Sequence, residues 1–357
     1  MRFLRLLGGL VLLLIPSSPV VAQAPLGGPR FQPMGFGDVS YIAAQRQADG
    51  FFVGQLVGQL TAALTDRLTV FTEVSGTARS DGYALDIERL FLRYDFSDLF
   101  KLSAGRYHSP ISYWNTAYHH GLWLQTTTSR PEMIRFGSRL IPVHFVGILA
   151  EGTLAPGALG LNYALGVGNG RSANVARAGD AGDVNDHRAV TIAVNWRPSS
   201  MQQFQAGGGA YIDRVPAAGT EPELRERILS AHVAWTPGTP EFIAEYARVS
   251  HAPDIAGAAF THTHAVFAQA SWGLRGAAAG FRPYARLENI DASPSDTAFT
   301  RDGGDYDAVI AGLRYDFELL AALKAEYRRE RTAGDEWTSA FVVQASFAIA
   351  TLNGGAM

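Results

Sequence analysis

The chain has 357 residues, 47% hydrophobic and 18% charged, with 38 glycines, 11% aromatics and no cysteine. Low charge and abundant apolar residues exclude a disordered chain, and the lack of cysteine excludes disulfide frameworks, thiolate zinc sites and cysteine nucleophiles. The formal net charge of −3 becomes −5 once Arg2 and Arg5 leave with an N-terminal leader, a balance that argues against nucleic acid as a partner.

Arg2 and Arg5 precede an apolar stretch from Leu6 to Ile15, Pro16 breaks it, and small residues follow at Val20, Ala22 and Ala24. This is the layout of a secretory signal peptide over 1–22. Cleavage after Ala22 is favoured over cleavage after Ala24, which would leave Pro25 at the scissile bond. Residues 23–357 are then expected to form one domain. Beyond the leader no run of about 18 apolar residues occurs, so no helical membrane span is expected.

From there the dominant pattern is period-two alternation, punctuated by Gly, Pro, Asp and Asn. Segments near 37–45, 51–62, 67–77, 84–95, 98–107, 142–153, 158–168, 188–197, 203–213, 224–236, 241–250, 262–274, 281–290, 305–317, 321–331 and 336–349 read as strands. That is about sixteen, with about 14 to 18 as bounds. Connections after even-numbered strands are mostly tight and those after odd-numbered strands mostly longer, apart from brief links near 46–50 and 332–335 and a slightly longer one near 275–280. This alternation marks a transmembrane antiparallel up-and-down β-barrel, all-β, with short turns at one end and longer loops at the other. Trp196, Trp235, Trp272, Tyr315, Phe317 and Trp337 near strand ends fit interfacial girdles.

Alternation also sorts the charges. Arg89, Arg93, Lys101, Arg282, Arg286, Glu288, Arg314, Glu326 and Arg328 fall opposite apolar positions and are expected to line the barrel interior. A dry core could not hold so many ions without large desolvation costs, so a water-filled lumen is expected. Arg106 falls on the outward face and is expected at the rim, since an arginine at the bilayer midplane costs about 2–4 kcal/mol.

Residues 108–141, between the fifth and sixth strands, form the outstanding connection. A loop this long is usually functional or disordered, and this one is too aromatic to be a disordered linker. Tyr113, Trp114, Asn115, Tyr118, His119, His120, Trp123 and Arg130 are its candidate functional residues. Its apolar side chains need a surface, and the inner wall is the one at hand. Folded inward, the segment would constrict the barrel.

Gly105-Arg106-Tyr107 followed by Ser109-Pro110-Ile111-Ser112-Tyr113-Trp114-Asn115 resembles an element of the phosphate-selective porin O and P family. The resemblance implies a passive channel of the bacterial outer membrane, often trimeric, surrounded by lipid and passing small hydrophilic solutes or inorganic ions. Phosphate specialists of that family depend on many lumen arginines and lysines. Here the only lysines are Lys101 and Lys324, and Glu73, Glu245, Glu288, Asp316 and Glu326 are interspersed with the lumen arginines, so phosphate selectivity is not carried over. An anion bias is the open question. No HExxH, GxSxG or phosphate-cradling glycine loop occurs, so neither enzymatic activity, nor a cofactor, nor a metal is expected. The rival reading is a non-conducting barrel serving as scaffold, adhesin or enzyme.

Overall fold

The computed structural model describes residues 28–350 except 46–47, 80, 119–120, 156–158, 218–221, 297, 299–303 and 333. The leader and the pair His119 and His120 lie outside the described residues. The strands are β1 (Arg30–Ala44), β2 (Gly50–Ala63), β3 (Leu68–Arg79), β4 (Gly82–Asp95), β5 (Lys101–His108), β6 (His144–Ala155), β7 (Leu161–Asn169), β8 (Ala189–Trp196), β9 (Phe204–Val215), β10 (Leu224–Trp235), β11 (Glu241–Pro253), β12 (Thr261–Ser271), β13 (Phe281–Asp291), β14 (Tyr306–Glu318), β15 (Ala321–Thr332) and β16 (Thr338–Ala350). A short helix, α1 (Tyr113–Tyr118), lies in the β5–β6 connection.

Each strand pairs antiparallel with the next, and β1 pairs with β16 from Met34↔Ala350 to Ala44↔Ala340. The sheet is therefore a closed sixteen-stranded barrel without an edge. No helix among the described residues is long and apolar enough to cross a membrane, and strands need no such helix because closure pairs every ladder group within the sheet.

Outward positions are apolar. Tyr83, Leu85 and Ile87 are exposed on β4, then Leu90, Leu92 and Tyr94. The step from Ile87 to Leu90 breaks the alternation at a bulge, where the β3–β4 register shifts between Glu73 and Val74. The bulge turns two consecutive side chains inward: Glu88 accepts from Ser75 Oγ at 2.6 Å, and Arg89 donates to Glu73 at 2.5 Å. Trp196, Trp235, Trp272, Tyr315 and Phe317 sit at the short-turn end, and Trp337 sits at the opposite end.

β1 begins at Arg30, earlier than its weak alternation indicates, because Arg30↔Ala63 through Gly37↔Leu56 pair its first half with the second half of β2. The β3–β4 link at 80–81 is also short although it lies at the long-loop end. Arg106 pairs opposite outward Leu90 near the long-loop end of β5. It donates to the Glu88 carbonyl and bonds Asp180 of the β7–β8 connection, so its charge is compensated.

Gly105 makes this crossing possible. Its φ of +139° is a conformation L side chains rarely adopt, and a Cβ there would collide with the Leu90 carbonyl oxygen. Gly105→Val should lower barrel stability by about 2 kcal/mol or more. A lower temperature for conversion of the compact gel band to the unfolded one checks this; an unchanged temperature would show that the β4–β5 approach carries no strain.

Candidate functional site

The β5–β6 connection folds into the barrel and is fastened along the wall from β10 to β16. At its neck Ser109 N–H donates to the Val143 carbonyl at 3.0 Å, and Asn115 Nδ2 donates to the same carbonyl at 2.7 Å. The first amides of α1 have no partner within the helix. Glu245 on β11 supplies both acceptors, for Tyr113 N–H at 3.0 Å and Trp114 N–H at 2.6 Å.

Farther along, the segment has no regular structure, and the wall meets its backbone groups with ions. Arg314 donates to the carbonyls of Trp123 at 2.6 Å and Gln125 at 2.7 Å. Lys324 reaches the carbonyls of Leu122 at 2.5 Å and Thr127 at 2.9 Å. Glu326 accepts from Thr128 N–H at 3.0 Å, Thr128 Oγ1 at 2.7 Å and Tyr284 Oη at 2.9 Å. Arg286 donates to the carbonyls of Ser129 at 2.9 Å and Arg130 at 3.2 Å, and Glu288 accepts from Glu132 N–H at 2.5 Å. Arg328 bonds Ser129 Oγ. Charge-assisted bonds of this kind are the strong class, and they matter most where water cannot compete.

The segment's apolar side chains fill the space between these clamps. Trp114 is fully buried, edge-on to Phe267 at 5.7 Å and against Tyr118 at 4.9 Å. Ile111, Met133, Ile134 and Ile141 join inward residues Ile228, Ile243, Tyr284 and Ile310 in one core. The expectation of a water-filled lumen is therefore corrected in part: inward residues from β5 to β14 form a dry core with the segment. Arg286 and Glu326 lie beneath it, sealed from solvent.

Arg130 is also buried, donating to the Ile134 carbonyl at 2.9 Å and Asn115 Oδ1 at 3.2 Å, with its guanidinium 4.1 Å from the Phe136 ring. Burial pulls this guanidinium down to about 9, with Glu88 and Glu245 opposing, so it stays charged at neutral pH. Burial pushes the Glu132 carboxyl up, against the pull of Arg135.

Arg89, Arg93, Lys101 and Arg282 do not clamp the segment through any described bond. Arg93 pairs with Asp95 at 2.9 Å, Lys101 approaches Asp95 at 3.9 Å and Arg282 pairs with Glu241 at 3.1 Å, all toward the short-turn end. Arg89 stands at mid-height beside the remaining gap. That gap, about 280 Å³, has Met34, Phe36, Gln59, Arg89 and His108 on the wall side and Thr116, Ala117, Trp123 and Leu124 on the segment side. On the long-loop side a larger recess of about 840 Å³ includes Arg79, Arg106, Arg171 and Arg177 with Asp86, Glu88 and Asp180. Gln59 and Met34 were not singled out from the sequence. Both lie on the inward set of their strands, but alternation does not reveal which inward residues face the segment's free flank.

The chain matches no family model and no curated protein sequence. Its fold is nevertheless shared with solved structures. An anion-selective porin from Comamonas acidovorans superposes with a TM-score of 0.66 at 13% identity, over 90% of this chain and 100% of that one. The outer membrane channel DcaP of Acinetobacter baumannii gives 0.61 at 12% identity, over 90% and 97%. OmpT of Vibrio cholerae, an outer membrane protein solved in a trimer form, gives 0.62 at 12% identity, over 90% and 100%. The architecture is that of the porin-type sixteen-stranded barrel.

Glu326→Ala removes the acceptor of three hydrogen bonds and leaves Arg328 without its 3.1 Å partner. Amide exchange across 122–130 should then accelerate about tenfold or more, as expected from losing a charge-assisted bond of about 1.5–3 kcal/mol. Exchange in β13–β15 should stay near its original rate. Unchanged exchange in the segment would mean that Glu326 does not fasten it.

Proposed function

We propose that this protein is an outer-membrane porin for small hydrophilic solutes or ions, exported through its 1–22 signal peptide and constricted by the 108–141 segment. The observation that carries the reading is the gap left between a clamped segment and the opposite wall of a closed barrel. The segment packs on inward residues from β5 to β14 and, through Trp123, on Phe36 of β1, yet leaves a gap where Gln59, Arg89 and His108 face Thr116 and Ala117. The porin-type fold and the resemblance to the phosphate-selective porin O and P family around Gly105–Asn115 support the same reading.

The gap's lining has Arg89 and no carboxylate; the Glu73 that pairs with Arg89 at 2.5 Å lies fully buried behind it, so the guanidinium is the charged group that meets the gap. This arrangement favours a mild anion preference set by local electrostatics rather than by a tight binding site. The fold neighbour from Comamonas acidovorans is anion-selective, which agrees with that direction. A homotrimer is the proposed assembly, in keeping with the trimer form of the Vibrio cholerae neighbour.

Purified protein in planar bilayers should give discrete conductance steps in potassium chloride. Reversal potentials in a salt gradient should indicate weak anion preference, and Arg89→Glu should move them toward cations. Absence of any conductance from inserted protein would overturn the channel reading in favour of a plugged scaffold. Conductance with a selectivity unmoved by Arg89→Glu would remove Arg89 from the constriction.

A further inference from the structure

The lipid-facing surface of β10–β12 carries charges that neither the strand ladder nor the constriction uses. On these strands Ile228, Val249 and Ala265 point inward and are fully buried, whereas Leu229, Tyr246 and Val266 point outward and are exposed. The outward set continues toward the long-loop end with Arg227 on β10, Arg248 on β11, and His262 and His264 on β12. The register joins them: Arg248 stands opposite His264 on one side and Leu229 on the other, and Ser250 stands opposite His262 and Arg227.

The cluster is held in place. Arg248 donates to His262 Nε2 at 2.9 Å, which requires the tautomer whose Nδ1–H donates to Ser250 Oγ, also at 2.9 Å. Tyr246 Oη lies 2.7 Å from His264 Nδ1. The Arg227 guanidinium rests 4.5 Å from the centre of the Phe260 ring. Among the described residues no carboxylate lies within ion-pair distance of Arg227 or Arg248. Elsewhere on the same outward rim Arg331 is neutralised by Asp307 at 2.6 Å. Both guanidiniums therefore keep their charge available at the surface formed by the described residues.

We propose that Arg227 and Arg248, with His262 and His264, form a binding site for the phosphate groups of a phosphorylated glycolipid in the outer leaflet. The cluster sits just beyond the apolar belt that starts at Leu229, Tyr246 and Val266, which puts it at headgroup depth. There a basic side chain costs little and gains the attraction of anionic headgroups. The planar guanidinium fork matches phosphate oxygens in pairs, and the ring of Phe260 together with the His262 bond orders both forks before the lipid arrives. The proposal rests on the outer-membrane placement argued above.

The test uses the full mature chain in non-ionic detergent, with native mass spectrometry after addition of bisphosphorylated lipid A or the same lipid stripped of its phosphates. The intact lipid should be retained and the stripped one lost. R227Q/R248Q, with heat-modifiable mobility confirming a folded barrel, should weaken retention by about tenfold or more. Millimolar inorganic phosphate should not displace the lipid, which separates a headgroup site from a free-phosphate site. Equal retention of both lipids, or unchanged retention by R227Q/R248Q, would overturn the proposal. So would loss of oligomers in that variant without loss of lipid, which would assign the patch to a second copy of this chain. Should the double variant not fold, R227Q alone carries the same comparison. Release of the native protein from membranes by carbonate washing would instead sink the outer-membrane placement, an outcome distinct from failure at this patch.

Discussion

A backbone shielded from water must find every hydrogen-bond partner within the protein, and this constraint governs both halves of the structure. For the strands it is met by closure: β1 pairs with β16 over eleven residue pairs and with β2 over twelve, so no ladder edge is left open. For the inward segment it forces something less regular. A chain that makes one helical turn and then wanders cannot satisfy its own amides and carbonyls, and the wall supplies ions to do it. Glu245 holds the start of α1, and Lys324, Arg314, Glu326 and Arg286 hold the stretch from Leu122 to Arg130.

This changes what interior charge means in the barrel. A buried ion is costly unless paired and hydrogen-bonded. Here the partners are largely main-chain dipoles of the segment rather than opposite charges alone, although Arg286–Glu288 at 2.8 Å and Arg328–Glu326 at 3.1 Å add pairing. The interior is thereby divided: a dry core around Trp114 and Phe267 that runs from β5 to β14, a smaller one where Trp123 meets Phe36, and a gap beside Gln59, Arg89 and His108.

Much of this was legible in the sequence. Period-two runs with tight and long links alternating gave the barrel class and the strand number, because apolar outward positions and polar inward ones put opposite chemistry on alternate residues. The outward path of Arg106 also followed from alternation. Less visible was the bulge at Glu88 and Arg89, where one extra residue turns two neighbours inward. The start of β1 is hidden in the sequence because Pro33, Gly35 and Gly37 blur its pattern, and pairing with β2, joined from Met34 on by pairing with β16, makes Arg30–Phe36 a strand.

The sequence by itself determined that charged residues face inward and that 108–141 is too aromatic to stay in water. Which of those charges meet solvent and which are spent on holding the segment was decided by tertiary structure alone. Lys324 and Arg93 occupy equivalent inward positions in their strands, yet one is sealed beneath Leu122 and Thr127 while the other stays partly exposed beside Asp95. The physical reason is that facing inward is a property of a strand's own pleat. Burial depends on a segment nearly two hundred residues away in sequence, as between Thr128 and Glu326, where |i−j| is 198.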